Sequence, residues 1–92
     1  MVRSFEWDEV KRRQNLSKHG VDFLDVVPLF DGQVLEAVDD RRDYGETRTK
    51  CLGEVHGLIY VVIYTWRREN RRIISARKAN VGEQRAYYAR NA

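Results

Sequence analysis

Along the 92 residues, the spacing of apolar and polar positions changes period several times. Phe5 and Trp7 alternate with Ser4 and Glu6, a period of two that predicts a short first strand at a sheet edge. Asp8 then suits an N-cap, and the spacing predicts a helix to about His19, with Gly20 where a left-handed C-cap is wanted. That helix is unusually polar, since Val10 and Leu16 are its only aliphatic residues. A second short helix is predicted from Asp22, with Phe23, Val26, Val27 and Phe30 as its apolar face and Pro28 as its limit. Asp31-Gly32 reads as a turn, Val34, Leu35, Ala37 and Val38 as a strand, and residues 39–46 as a polar loop.

Strand character resumes from Thr47 to Leu52, and residues 54–57 read as a hairpin connection with His56 as a solvated turn residue. Leu58 to Trp66 is nearly continuous in β-branched and aromatic residues, the pattern of a central strand covered on both faces; Tyr60 and Tyr64 share a parity and therefore a face. After a turn at 67–70 comes a last strand, Arg71 to Lys78. Strict alternation there points Arg72, Ile74, Ala76 and Lys78 one way and Arg71, Ile73, Ser75 and Arg77 the other, anchoring the middle and leaving cations at the ends. Asn80 and Glu83 have capping-box spacing, so a final helix runs from about Val81 to Arg90, packed through Tyr87 or Tyr88. The order β-α-α-β-β-β-β-α defines one α+β domain over residues 1–92, with a mainly antiparallel sheet.

Charge is polarised rather than merely positive. The sequence carries +3 in total, but Arg67 to Lys78 holds six cations against Glu69, while Asp22 to Glu46 holds eight anions against Arg41 and Arg42. A concentrated positive field attracts phosphate polymers. Cys51 is the single cysteine and reads as an inert strand residue, with neither a disulfide partner nor companions for a thiolate site. Without an apolar leader or a membrane-length span, the expectation is a soluble, cytoplasmic protein that meets no membrane.

No metal-ligating Cys/His cluster, Gly-rich phosphate loop or nucleophile motif is present in the sequence, and no cofactor is expected. What remains is chemistry that cations and one or two proton carriers perform. RNA cleavage is of this kind: the 2′-hydroxyl loses a proton, the phosphorane needs positive charge, and the leaving 5′-oxygen needs a proton. Arginine matches phosphate with its planar fork. His19 stands with Asn15 and Lys18 on one helical face, and an imidazole is able to exchange protons near neutrality. Glu46 is a second candidate base. Structural readings compete: Lys18 and His19 also favour the negative end of a helix dipole, Asn15 can bond neighbouring backbone, and Glu46 can pair with Arg48 and Arg77 to tie loop to sheet.

Several blocks fall in an order that resembles the BrnT toxins of bacterial type II toxin-antitoxin systems, small ribonucleases with a RelE-like fold. They are Phe5-Glu6-Trp7-Asp8; Lys11, Asn15 and Lys18-His19-Gly20-Val21; Asp40-Arg41, Tyr44-Gly45-Glu46 and Arg48; and Arg72-Ile73-Ile74-Ser75-Ala76-Arg77-Lys78-Ala79 with Glu83. Gly32 and Val26 depart from the usual pattern without touching the polar blocks. The resemblance implies a RelE-like fold and metal-independent RNA cleavage that inhibits translation. It also implies a cognate ribbon-helix-helix antitoxin, BrnA-like, through which any DNA contact would be made. On these blocks, His19, Glu46 and Arg77 are the expected catalytic residues, and Lys18, Arg48, Arg72 and Lys78 the expected RNA phosphate contacts. Two alternatives stay open: a non-catalytic RNA-binding inhibitor of translation, and a toxin-like subunit acting mainly in transcriptional autoregulation with its antitoxin.

Overall fold

The computed structural model describes residues 4–90. Strand β1 (Phe5–Glu6) leads into helix α1 (Glu9–His19), then helix α2 (Phe23–Val26) and a 3-10 turn (Val27–Asp31). Strands β2 (Val34–Asp39), β3 (Arg48–Val55), β4 (Leu58–Arg67) and β5 (Asn70–Lys78) follow, and helix α3 (Val81–Arg90) closes the chain. They form one five-stranded sheet in the order β1-β5-β4-β3-β2, antiparallel except where β1 runs parallel to β5. The predicted order of elements holds throughout.

Local chemistry explains the punctuation. The Asp8 carboxylate accepts from the Val10 and Lys11 amides, and Gly20 ends α1 at φ 71° while donating to the Leu16 carbonyl. Pro28 at the start of the 3-10 turn splits the predicted second helix in two, because it lacks an N–H for a continued helical ladder. His56 and Gly57 both take positive φ, 51° and 81°, and form the two-residue β3–β4 turn.

Two cores lie on opposite faces of the sheet. On one, Phe23, Val26, Leu29 and Phe30 pack against Cys51, Val62, Tyr64, Ile73 and Ala76, each full burial of a large apolar side chain contributing about 1.5–3 kcal/mol. Gly53 admits the 3-10 turn to that face, since a Cβ there would stand 2.4 Å from Leu29 Cγ. On the other, Leu52, Ile59, Val61 and Ile63 pack with Ala79 and with Tyr87, the one buried residue of α3.

Two details depart from simple periodicity. The β4–β5 register shifts so that Ile63 faces Ser75 but Tyr64 faces Ile73, making Ile74 an extra residue on β5. This bulge overturns the strict alternation expected over Arg71–Lys78: Ile73 and Ala76 join one core, and Ile74 packs against the other. Arg71, on the face of Ile73 as the alternation expects, also lies inward, its guanidinium 4.6 Å from the Phe30 and Trp66 ring centroids and 5.3 Å from that of Tyr64.

The second detail concerns α1, whose only buried residue is Asn15. β1 pairs only with Arg71 and Arg72, so the edge of β5 is open further along. There the Asn15 amide donates to the Ala76 carbonyl (2.7 Å) and to the Val21 carbonyl (2.9 Å), while its oxygen accepts from the Ala76 amide (3.1 Å). One side chain thus stands in for a strand partner and fixes the C-terminal end of α1 beside Ser75 and Arg77.

Candidate functional site

The end of α1, the open part of the sheet face beside α3, and the start of the 40–47 loop enclose a cleft of about 310 Å³ lined by Lys18, His19, Arg41, Lys50, Ile63, Ser75 and Arg77. The register explains the convergence: Lys50, Ile63 and Ser75 are consecutive cross-strand partners on β3, β4 and β5. A second hollow of about 240 Å³ opens between α1 and β5, lined by Lys11, Gln14, Asn15, Lys18, His19, Ile74 and Ser75.

Glu83 holds the cations of this cleft from below. It accepts both Arg77 Nη atoms, 2.8 Å each, and Lys50 Nζ lies 2.9 Å away. The same side chain accepts the Asn80 amide while Asn80 accepts that of Glu83, the predicted capping box. The Arg77 fork, with the Asn80 amide and Lys50, pulls the Glu83 carboxyl down to about 2, and Glu83 in turn raises the Arg77 guanidinium. Glu83 is therefore an anion at neutral pH and too weak a base to serve as a proton acceptor there. Arg41 is held by the buried Asp39, with bonds of 2.7 and 3.0 Å. Among the described residues, Arg77 Nε and one Nη2 hydrogen remain uncommitted, and the exposed Lys18 and His19 side chains form no hydrogen bond or ion pair. Four cations and an imidazole thus face one space against two carboxylates that are already engaged.

Of the residues singled out from the sequence, Lys18, His19 and Arg77 come together here, and Glu46, Arg48, Arg72 and Lys78 do not line the cleft. Glu46 is bonded to Arg48 Nε at 3.2 Å, and the Arg48 guanidinium stacks 3.9 Å above the Tyr44 ring. Arg72 is tied to Glu6 at 2.6 Å. Lys78 is exposed opposite Tyr60 at the end of β5. Asn15 shares the helix face of Lys18 and His19 but turns its amide to the backbone. Sequence reasoning did not single out Arg41, Lys50, Ser75 or Glu83 for this site. The parity of Lys50 with Leu52 was readable, but the β3–β4–β5 register that brings it to Ser75 was not.

Among the described residues, no group of three or more His, Cys, Asp or Glu is placed to hold a metal ion, and no helix is long and apolar enough to cross a membrane. The class is therefore an α+β domain with a cationic, imidazole-bearing cleft on an open sheet face, a charge arrangement that attracts phosphate groups. The comparisons narrow this. Residues 7–83 match the family described as the ribonuclease toxin, BrnT, of type II toxin-antitoxin systems, and the chain belongs to that family. It is similar to the crystal structure of the Brucella abortus ribonuclease toxin, BrnT, at 30% identity and a TM-score of 0.66, over 86% of this chain and 99% of that one. No curated protein sequence matches it.

Proposed function

We propose that the chain is a metal-independent endoribonuclease toxin that cleaves RNA in the Lys18–His19–Arg77 cleft, inhibits translation in the cytoplasm, and is neutralised by a cognate antitoxin. The observation that supports it most is the meeting of an unpartnered imidazole with a guanidinium pre-oriented by Glu83. His19 takes the 2′-hydroxyl proton as the 2′-oxygen attacks phosphorus, and returns it to the 5′-oxygen as the P–O5′ bond breaks. The products are a 2′,3′-cyclic phosphate and a free 5′-hydroxyl, with no water consumed. Arg77, with its free Nε–H, and Lys18 face the phosphorane oxygens, while Arg41 and Lys50 add positive charge; these groups supply the neutralisation that a divalent ion would otherwise give. This reading places the proton transfers on His19 rather than Glu46, whose carboxylate accepts from Arg48 and does not line the cleft.

The type II description of the family supports a protein antitoxin. We assign it to the BrnA-like ribbon-helix-helix class, with DNA contacts made by that partner rather than by this chain. Purified protein incubated with a defined RNA in excess chelator is expected to yield cyclic-phosphate ends, and induced expression without the antitoxin gene to arrest growth. Intact RNA in chelator with full cleavage on adding a divalent cation would refute metal independence; intact RNA in both would refute the nuclease.

A further inference from the structure

Resting on that reading, we infer that the groove between α1 and β5 is a second nucleotide subsite, in which Lys11 holds a phosphate next to the scissile one and Gln14 meets the intervening nucleotide. The substrate is then a single strand of several nucleotides threaded across both hollows. Three observations carry this. The α1–β5 hollow and the catalytic cleft share Lys18, His19 and Ser75, so the two adjoin along these residues. Lys11, Gln14 and Lys18 fall at i, i+3 and i+7, one line along the helix, and Lys11 lies about 10 Å from Lys18 along the axis, within reach of a neighbouring or next-neighbouring phosphate.

The third observation is a contrast in partners. Outside the groove lining, the Arg12 guanidinium is tied to Glu9 at 2.7 Å and to Asp22 at 2.8 Å, and Arg13 lies 3.9 Å from Glu9. Along the groove, Lys11, Gln14, Lys18 and His19 are exposed and, among the described residues, their side chains bond to nothing within the chain. Arg12 and Arg13 thus have carboxylate partners, whereas Lys11 and Lys18 along the groove have none. Asn15 lines it with its amide committed to backbone and Ile74 adds an apolar wall, so the hollow is a shallow rail with polar groups along the helix and an apolar surface against β5. Its volume of about 240 Å³ suits one nucleotide lying along the rail.

The test uses a 2′-O-methyl RNA ten-mer, which cannot be cleaved, and the matching trimer, with binding followed by anisotropy across a salt series. Lys11→Gln is expected to weaken ten-mer binding roughly 5- to 20-fold, to weaken trimer binding less, and to reduce the salt slope by about 0.7, the share of one phosphate on a single strand. Arg13→Gln removes the same charge from outside the groove lining and is expected to leave both values unchanged. Equal effects of the two substitutions, or equal losses on ten-mer and trimer, would overturn the subsite. The readout is binding, so a wild type that binds as expected but fails to cleave unmodified RNA would overturn the nuclease reading while leaving the groove as an RNA site.

Discussion

Asn15 satisfies two carbonyls and one amide from inside the fold, and few side chains in this chain do as much with so little bulk. Replacing it with alanine would leave the Ala76 amide and carbonyl and the Val21 carbonyl buried without partners, so Asn15→Ala is expected to lower stability by about 2–4 kcal/mol. Asn15→Asp would not restore it, since a carboxylate cannot donate to either carbonyl. Urea unfolding midpoints check both. Helical spacing showed that residues 15, 18 and 19 share a face; which of them turns inward depended on a strand edge 61 residues away, left open where β1 stops. Cys51 behaves as expected of a strand cysteine, fully buried and with burial pushing its thiol up to about 12, far from the reactive range.

At the scale of elements, periods of two and 3.6 with capping residues were enough to order the strands and helices. They failed at the β5 bulge, because an extra residue is defined only against the partner strand. Close packing was equally hidden. Gly53 gave no turn signal, yet it lies under Leu29, and Gly53→Ala is expected to cost about 1–3 kcal/mol in thermal or urea unfolding, with Leu29→Ala relieving part of the overlap while opening its own cavity. Glu83 was legible as a cap but not as the holder of Arg77 and Lys50. Its carboxyl falls from an ordinary 4.5 to about 2 on folding, so its contribution is complete above about pH 4.5 and is lost as pH falls through about 2. Glu83→Gln keeps the capping-box hydrogen bonds and removes the charge. The Tm gap between wild type and variant is expected to be constant from pH 7 to 5 and to close between pH 4.5 and 2.

Over the whole molecule, the polarity seen in the sequence is partly consumed internally. Asp22 binds Arg12, Asp39 binds Arg41, Glu46 binds Arg48, and Glu36 accepts the Tyr64 hydroxyl at 2.5 Å, so much of the acidic stretch is already paired. Of the basic stretch, Arg71 is stacked on aromatic rings and Arg72 is bound to Glu6; Arg67, Arg68 and Lys78 are exposed outside the cleft lining, and Arg77 reaches the cleft. Binding of single-stranded RNA is therefore expected to follow the cleft rather than net charge: with three to four phosphates neutralised, log K should fall against log salt with a slope of about −2 to −3, and Arg72→Gln should leave that slope unchanged. Fold class was readable because each element declares its own period. The site was only partly readable, because it forms where β3, β4, β5 and α1 meet, and that meeting is fixed by register and by Asn15.

The most direct measurement is the single-turnover cleavage rate of one defined RNA, in chelator, for His19→Ala beside Glu46→Ala. Both residues are exposed, so both variants should fold, but one group lines the cleft and the other lies outside its lining, bonded to Arg48. The expected result is a fall of about 100-fold or more for His19→Ala, the range of a lost general acid–base, with Glu46→Ala within a few-fold of wild type. A fully active His19→Ala, or an inactive Glu46→Ala, would contradict the assignment of the proton transfers to this cleft.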